Sequence, residues 1–89
     1  MGKNDAITAL TVADLMAAED PAATVGSLRF EQGQALLQEL VSRVESGDIP
    51  LDQAVLSYEI GSILLNHLRQ LLNQAEERVR ILRLDGSEA

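Results

Sequence analysis

The sequence predicts an all-α protein, a long antiparallel helical hairpin with room for a short third helix at its N-terminus. Three observations predict it. Leu, Ile, Val and Ala are abundant while Phe30 and Tyr58 are the only aromatics, which suits helices packed through aliphatic side chains better than a sandwich or barrel. Apolar residues recur at intervals of three and four over two long runs, the period of an amphipathic helix. Between the runs, Ser46-Gly47-Asp48-Ile49-Pro50 joins residues that stop a helix to residues that start one.

Residues 1–27 form an N-terminal extension of Ala, Thr, Asp and Gly that closes on a loop-like stretch, residues 19–27. Thr11 with Asp14 three residues later resembles a helix start, Leu15 and Met16 supply a short apolar patch, and Pro21 is expected to end it. A helix of about nine residues does not persist in water unaided. The extension is therefore expected to be either a docked short helix or a mobile tail.

From Ser27, taken as an N-cap, Phe30, Leu37, Leu40, Val41 and Val44 fall on one face of a helix over about 28–46. Gly33 shares that face, where it costs up to ~1 kcal/mol of helix propensity; its use is expected to be the close approach of a neighbour. Gly47 fits the left-handed position after a helix end, and Pro50 the start of the next helix. Asp48 and Asp52 complement the positive end of that helix's dipole. A turn confined to 47–50 makes the two helices antiparallel neighbours.

Over 51–84, Leu51, Ala54, Tyr58, Gly61, Leu65, Leu68, Leu72, Ala75, Val79 and Leu82 alternate spacings of three and four, so the hairpin is coiled-coil-like, in the manner of a spectrin repeat. Residues 85–89 are left as a C-terminal tail. The second helix spans about 50 Å and the first about 27 Å, so the first leaves Leu72, Ala75, Val79 and Leu82 bare unless the N-terminal extension folds back. Burying one Leu or Val contributes about 1.5–3 kcal/mol, and a domain this small has little stability to spare. Ile60, Ile63, Leu64 and Leu71 make the long helix apolar on a second side, more than a hairpin can bury.

The hairpin core is accordingly expected at Phe30, Leu37, Leu40, Val44, Leu51, Tyr58 and Gly61. The surface for partner chains is expected at Ile60, Leu64, Leu65, Leu68, Leu71, Leu72, Ala75, Val79 and Leu82.

Charge and composition narrow the function. At 89 residues there is one domain at most. The net charge of −7 lies in residues 1–68, the rest of the chain being neutral, whereas a protein that grips nucleic acid by itself normally carries a basic excess. No Cys is present, so neither disulfides nor thiolate metal sites are available. No apolar run approaches the ~18 residues of a membrane span, and no signal-peptide pattern follows Lys3; the expectation is a cytoplasmic protein without a membrane partner.

The residues that carry chemistry elsewhere are poorly arranged for it here. His67 has no His, Cys, Asp or Glu three or four residues away, so it reads as a partly covered histidine rather than a ligand or base. Glu76 and Glu77 are adjacent and face different ways, unlike the converging carboxylates of a two-metal nuclease. The glycines are scattered singly, not as a phosphate loop. No catalytic, metal or cofactor residue is expected. Arg69, Arg78, Arg80 and Arg83 complement the helix C-terminus or pair with Glu76 and Glu77, and the rival view has them meet an acidic partner or a nucleic-acid backbone.

Phe30-Glu31, then Glu45-Ser46-Gly47-Asp48-Ile49-Pro50-Leu51, Ala54, Tyr58-Glu59 with Gly61, and Ala75-Glu76 with Val79 together resemble, without a gap, the pattern of the exodeoxyribonuclease VII small subunit. The resemblance covers about 28–83. Gly33 and Gln34 depart from it where a small and then an apolar residue are usual, as does Leu68 where a small residue or Cys is common. The resemblance implies a non-catalytic subunit, inactive alone, that assembles on the helical region of a large subunit holding the active site and DNA-binding domain. The complex is a hydrolase that degrades single-stranded DNA from both ends into oligonucleotides. The implied partners are the large subunit and other copies of this chain, as a homodimer or higher when isolated; single-stranded DNA is met only through the complex. The alternatives are a stand-alone helical adaptor that homo-oligomerises through its apolar stripe, and a small enzyme in its own right.

Overall fold

The computed structural model describes residues 10–88, which form four helices and no strand. These are α1 (Val12–Ala17), α2 (Pro21–Gly26), α3 (Phe30–Ser46) and α4 (Leu51–Glu88). Among the described residues no helix is long and apolar enough to cross a membrane.

Two short helices stand where one was expected. Thr11 and Asp14 close a capping box, the Asp14 N–H donating to Thr11 Oγ1 (3.2 Å) and the Thr11 N–H to Asp14 Oδ2 (3.0 Å). Pro21 opens α2 instead of merely ending α1: it takes the first helical position, where its missing N–H costs nothing. Asp20 caps it by accepting from the Ala23 N–H. Ser27 closes α2, its hydroxyl donating to the Thr24 carbonyl at 2.9 Å. With that hydroxyl already engaged, the N-cap of α3 falls to Arg29, whose N–H donates to Gln32 Oε1 at 2.9 Å.

Gly47 ends α3 in the left-handed region, φ 75°, and the Pro50 carbonyl accepts from the Ala54 N–H as α4 begins. The two long helices run antiparallel, because Gly33 lies against Leu68 and Leu40 against Gly61. A Cβ on Gly33 would stand 2.9 Å from Leu68 Cδ2 and one on Gly61 3.2 Å from Leu40 Cδ2, so both glycines let the helices approach. In this register the head of α3 comes level with Leu71. Beyond it α4 continues as a bare arm, past the end expected at 84, and its length of about 57 Å matches the 57 Å long axis of the molecule.

The extension folds back. α1 and α2 pack across α4, with α1 also touching α3, and Val12, Leu15 and Val25 close over Leu36, Leu40, Ile60 and Leu64 as one core. Helices of six residues have no stability of their own; burial of these side chains, about 1.5–3 kcal/mol each, holds them. His67 ties the layer down: its Nε2 lies 2.8 Å from the Leu28 carbonyl oxygen. A carbonyl can only accept, so this nitrogen carries the proton.

Candidate partner-binding surface

α3 rests on the side of α4 formed by Ser57, Gly61, Leu64 and Leu68, while α1 and α2 cover the side carrying Ile60. The remaining side is open. There the two long helices enclose a groove of ≈ 370 Å³ lined by Leu37, Leu40, Val41 and Val44 from α3 and by Tyr58, Gly61 and Leu65 from α4. The same side of α4 continues along the arm as Leu72, Ala75 and Val79, flanked by Glu76, Arg80 and Arg83. Leu51, Tyr58, Leu65, Leu72 and Val79 recur every seventh residue and all are exposed, from 47% at Leu65 to 81% at Leu51. This is a straight apolar stripe at the period of a coiled-coil seam.

The residues expected in the hairpin core divide. Leu40 is buried, and Phe30, Leu37 and Gly61 are half-buried. Val44, Leu51 and Tyr58 lie outside: Tyr58 is 78% exposed, because the two glycine contacts set α3 over Gly61 and Leu68 and leave Tyr58 on the flank. The residues expected to meet partners divide too. Ile60, Leu64 and Leu68 are inside this chain's own core, Ile60 beneath α1 and α2, Leu64 where those helices and α3 meet, and Leu68 against Gly33. Leu71 is half-buried, and Leu65, Leu72, Ala75, Val79 and Leu82 are exposed.

Sequence reasoning missed Val12, Val25 and Leu36, all buried, and had Leu15, buried too, only as part of a short apolar patch. Leu36 left a signal: Gly33, Leu36 and Leu40 recur at three and four just as Leu37, Leu40 and Val44 do, and the first set is the one that faces inward. Ser57 was also missed. It is 2% exposed, and its Oγ has no hydrogen-bond partner among the described residues.

Glu76, Glu77, Arg78, Arg80 and Arg83 on the arm lie in solvent. Arg80 Nη2 donates to both carboxylate oxygens of Glu77 at 3.0 Å, an exposed pair contributing well under 1 kcal/mol. Among the described residues no three His, Asp or Glu side chains converge as a metal site would require. What the surface offers is apolar area at helical spacing, the shape that receives another helix.

Known proteins share much of this sequence. The profile of the exonuclease VII small subunit matches residues 30–81, which span α3, the turn and most of α4. The exodeoxyribonuclease 7 small subunit of Agrobacterium fabrum is 43% identical over 63 residues, 71% of this chain and 73% of that one. That of Edwardsiella ictaluri is 43% identical over 74 residues, 83% and 88% of the two chains, and that of Allorhizobium ampelinum 42% over 67 residues, 74% and 81%. A span of 74 residues must begin by residue 16, so the similarity takes in α2, which the sequence motifs alone did not reach. No solved structure matches the chain.

Proposed function

The chain belongs to the exonuclease VII small subunit family, and from that footing we propose that it is the non-catalytic subunit of a cytoplasmic nuclease, docking on helices of the large subunit. The complex degrades single-stranded DNA from both ends into oligonucleotides, and the isolated chain is inactive. One observation supports the reading most: the seven-residue stripe from Tyr58 to Val79 runs on past the reach of α3 and stays exposed. Four apolar side chains left wet forgo several kcal/mol of burial, a cost that a partner helix laid along the stripe removes. The charge of −7 fits a subunit that leaves contact with DNA to its partner.

The test is single-stranded DNA degradation by the same organism's large subunit, purified with and without this chain. The expected result is co-purification and an activity or solubility of the large subunit that depends on this chain. A large subunit that neither binds it nor responds to it would sink the proposal.

A further inference from the structure

Resting on the reading that a large-subunit helix lies along the stripe, we propose that the groove between α3 and α4 takes an arginine side chain from that helix, selected by Ser57 and Glu45. The register of the hairpin brings these two residues together. Gly33 lies against Leu68 and Leu40 against Gly61, and one helical turn nearer the loop Val44 comes level with Ser57. Glu45 and Tyr58, the next residue on each helix, line the groove beside them. This end of the groove therefore sets a carboxylate, a hydroxyl and a phenol ring against the apolar walls of Val41 and Val44.

Each polar group there lacks what an arginine supplies. Ser57 is 2% exposed and its Oγ has no hydrogen-bond partner among the described residues, which is costly for a buried hydroxyl. Ser57 also belongs to the lining of the groove, so a turn about χ1 from one staggered position to another offers Oγ to a side chain that enters. Among the described residues Glu45 is the one charged group lining the groove, and it has no ion-pair partner. Arg43, the nearest cation in the sequence, lies elsewhere, with Ala13 and Gln53. Tyr58 is 78% exposed and presents its ring to a flat cation. An arginine brings an apolar stem for the walls and a planar head whose N–H groups donate to a hydroxyl and a carboxylate at once. The contact would do what the stripe cannot. Tyr58, Leu65, Leu72 and Val79 are evenly spaced, so a partner helix shifted by one heptad buries almost as much, and a single polar contact is what fixes one register.

The test compares the affinity of full-chain variants for the same organism's large subunit with the melting temperature of each variant alone. Ser57→Ala should weaken binding about tenfold, through the loss of a hydrogen bond to a charged group, while the variant melts no lower than wild type. A residue that only supported the fold would not move binding without lowering stability. Glu45→Gln should weaken binding about threefold and flatten its dependence on salt. Wild-type affinity in Ser57→Ala overturns the proposal, as does a loss of binding that tracks a lower melting temperature. A loss in Ser57→Ala with none in Glu45→Gln overturns it too, because the occupant would then be a neutral polar group. In these cases a large subunit that binds the wild-type chain and rejects Leu72→Glu leaves the docking on the stripe standing. A large subunit that does not bind the wild-type chain overturns both.

Discussion

Gly33 and Leu68 show how one side chain's absence and another's presence set an interface. Leu68 is buried with its Cδ2 where a Cβ on residue 33 would stand, 2.9 Å away. Gly33→Leu should destabilise the chain by about 2 kcal/mol through overpacking, and Leu68→Ala in the same chain should recover part of that loss, because the removed volume admits the added one. Urea denaturation of the two singles and the double measures the coupling; simple additivity would mean the pair do not share a space. Ser57 works the other way. Its unpartnered, buried hydroxyl costs about 1–3 kcal/mol, so Ser57→Ala, which also improves helix propensity, should raise the melting temperature of the free chain by roughly 4 °C or more. A fall would mean that the hydroxyl is satisfied in solution.

Among the elements, α1 and α2 matter beyond their length. They cover Ile60 and Leu64, which would otherwise make α4 apolar on opposite sides, and so leave the molecule a single open face. Leu15→Ala should cost about 3 kcal/mol as a core truncation and lower the melting temperature by roughly 12 °C or more; a change of only a degree or two would show that the short helices do not dock. His67→Ala removes the bond to the Leu28 carbonyl and should cost about 1 kcal/mol, with faster amide exchange in α2 as the local readout.

For the whole molecule the deciding quantity is the difference in length between α3 and α4. Residues 72–84 of the 38-residue helix α4 are exposed throughout, so the apolar positions among them offer area to another chain. Leu72→Glu changes a position exposed within the chain, 49% accessible, and should leave the helical circular dichroism of the chain unchanged. Pull-down with the large subunit should nonetheless fall sharply, since a charge buried unpaired in an interface is strongly disfavoured. Normal assembly of that variant would place the interface elsewhere.

By itself the sequence determined the two long helices, their antiparallel turn and the overhang of the second, because these follow from local causes: apolar spacing, the left-handed glycine at 47, Pro50, and the fixed rise per residue. The family was legible for the same reason, its motifs being contiguous around that turn. What only the tertiary structure decided is which apolar stripe faces which neighbour. On α3, Leu36 and Leu37 lie on adjacent stripes of equal period, and periodicity cannot rank them; the close approaches at Gly33 and Gly61 do. On α4 two sides are apolar, and only the return of α1 and α2 shows that Ile60 and Leu64 belong to the core while Leu65, Leu72 and Val79 stay open. A helix's pattern records how much of its surface must be covered, and the rotation that assigns each side to a neighbour is fixed by packing between segments distant in sequence.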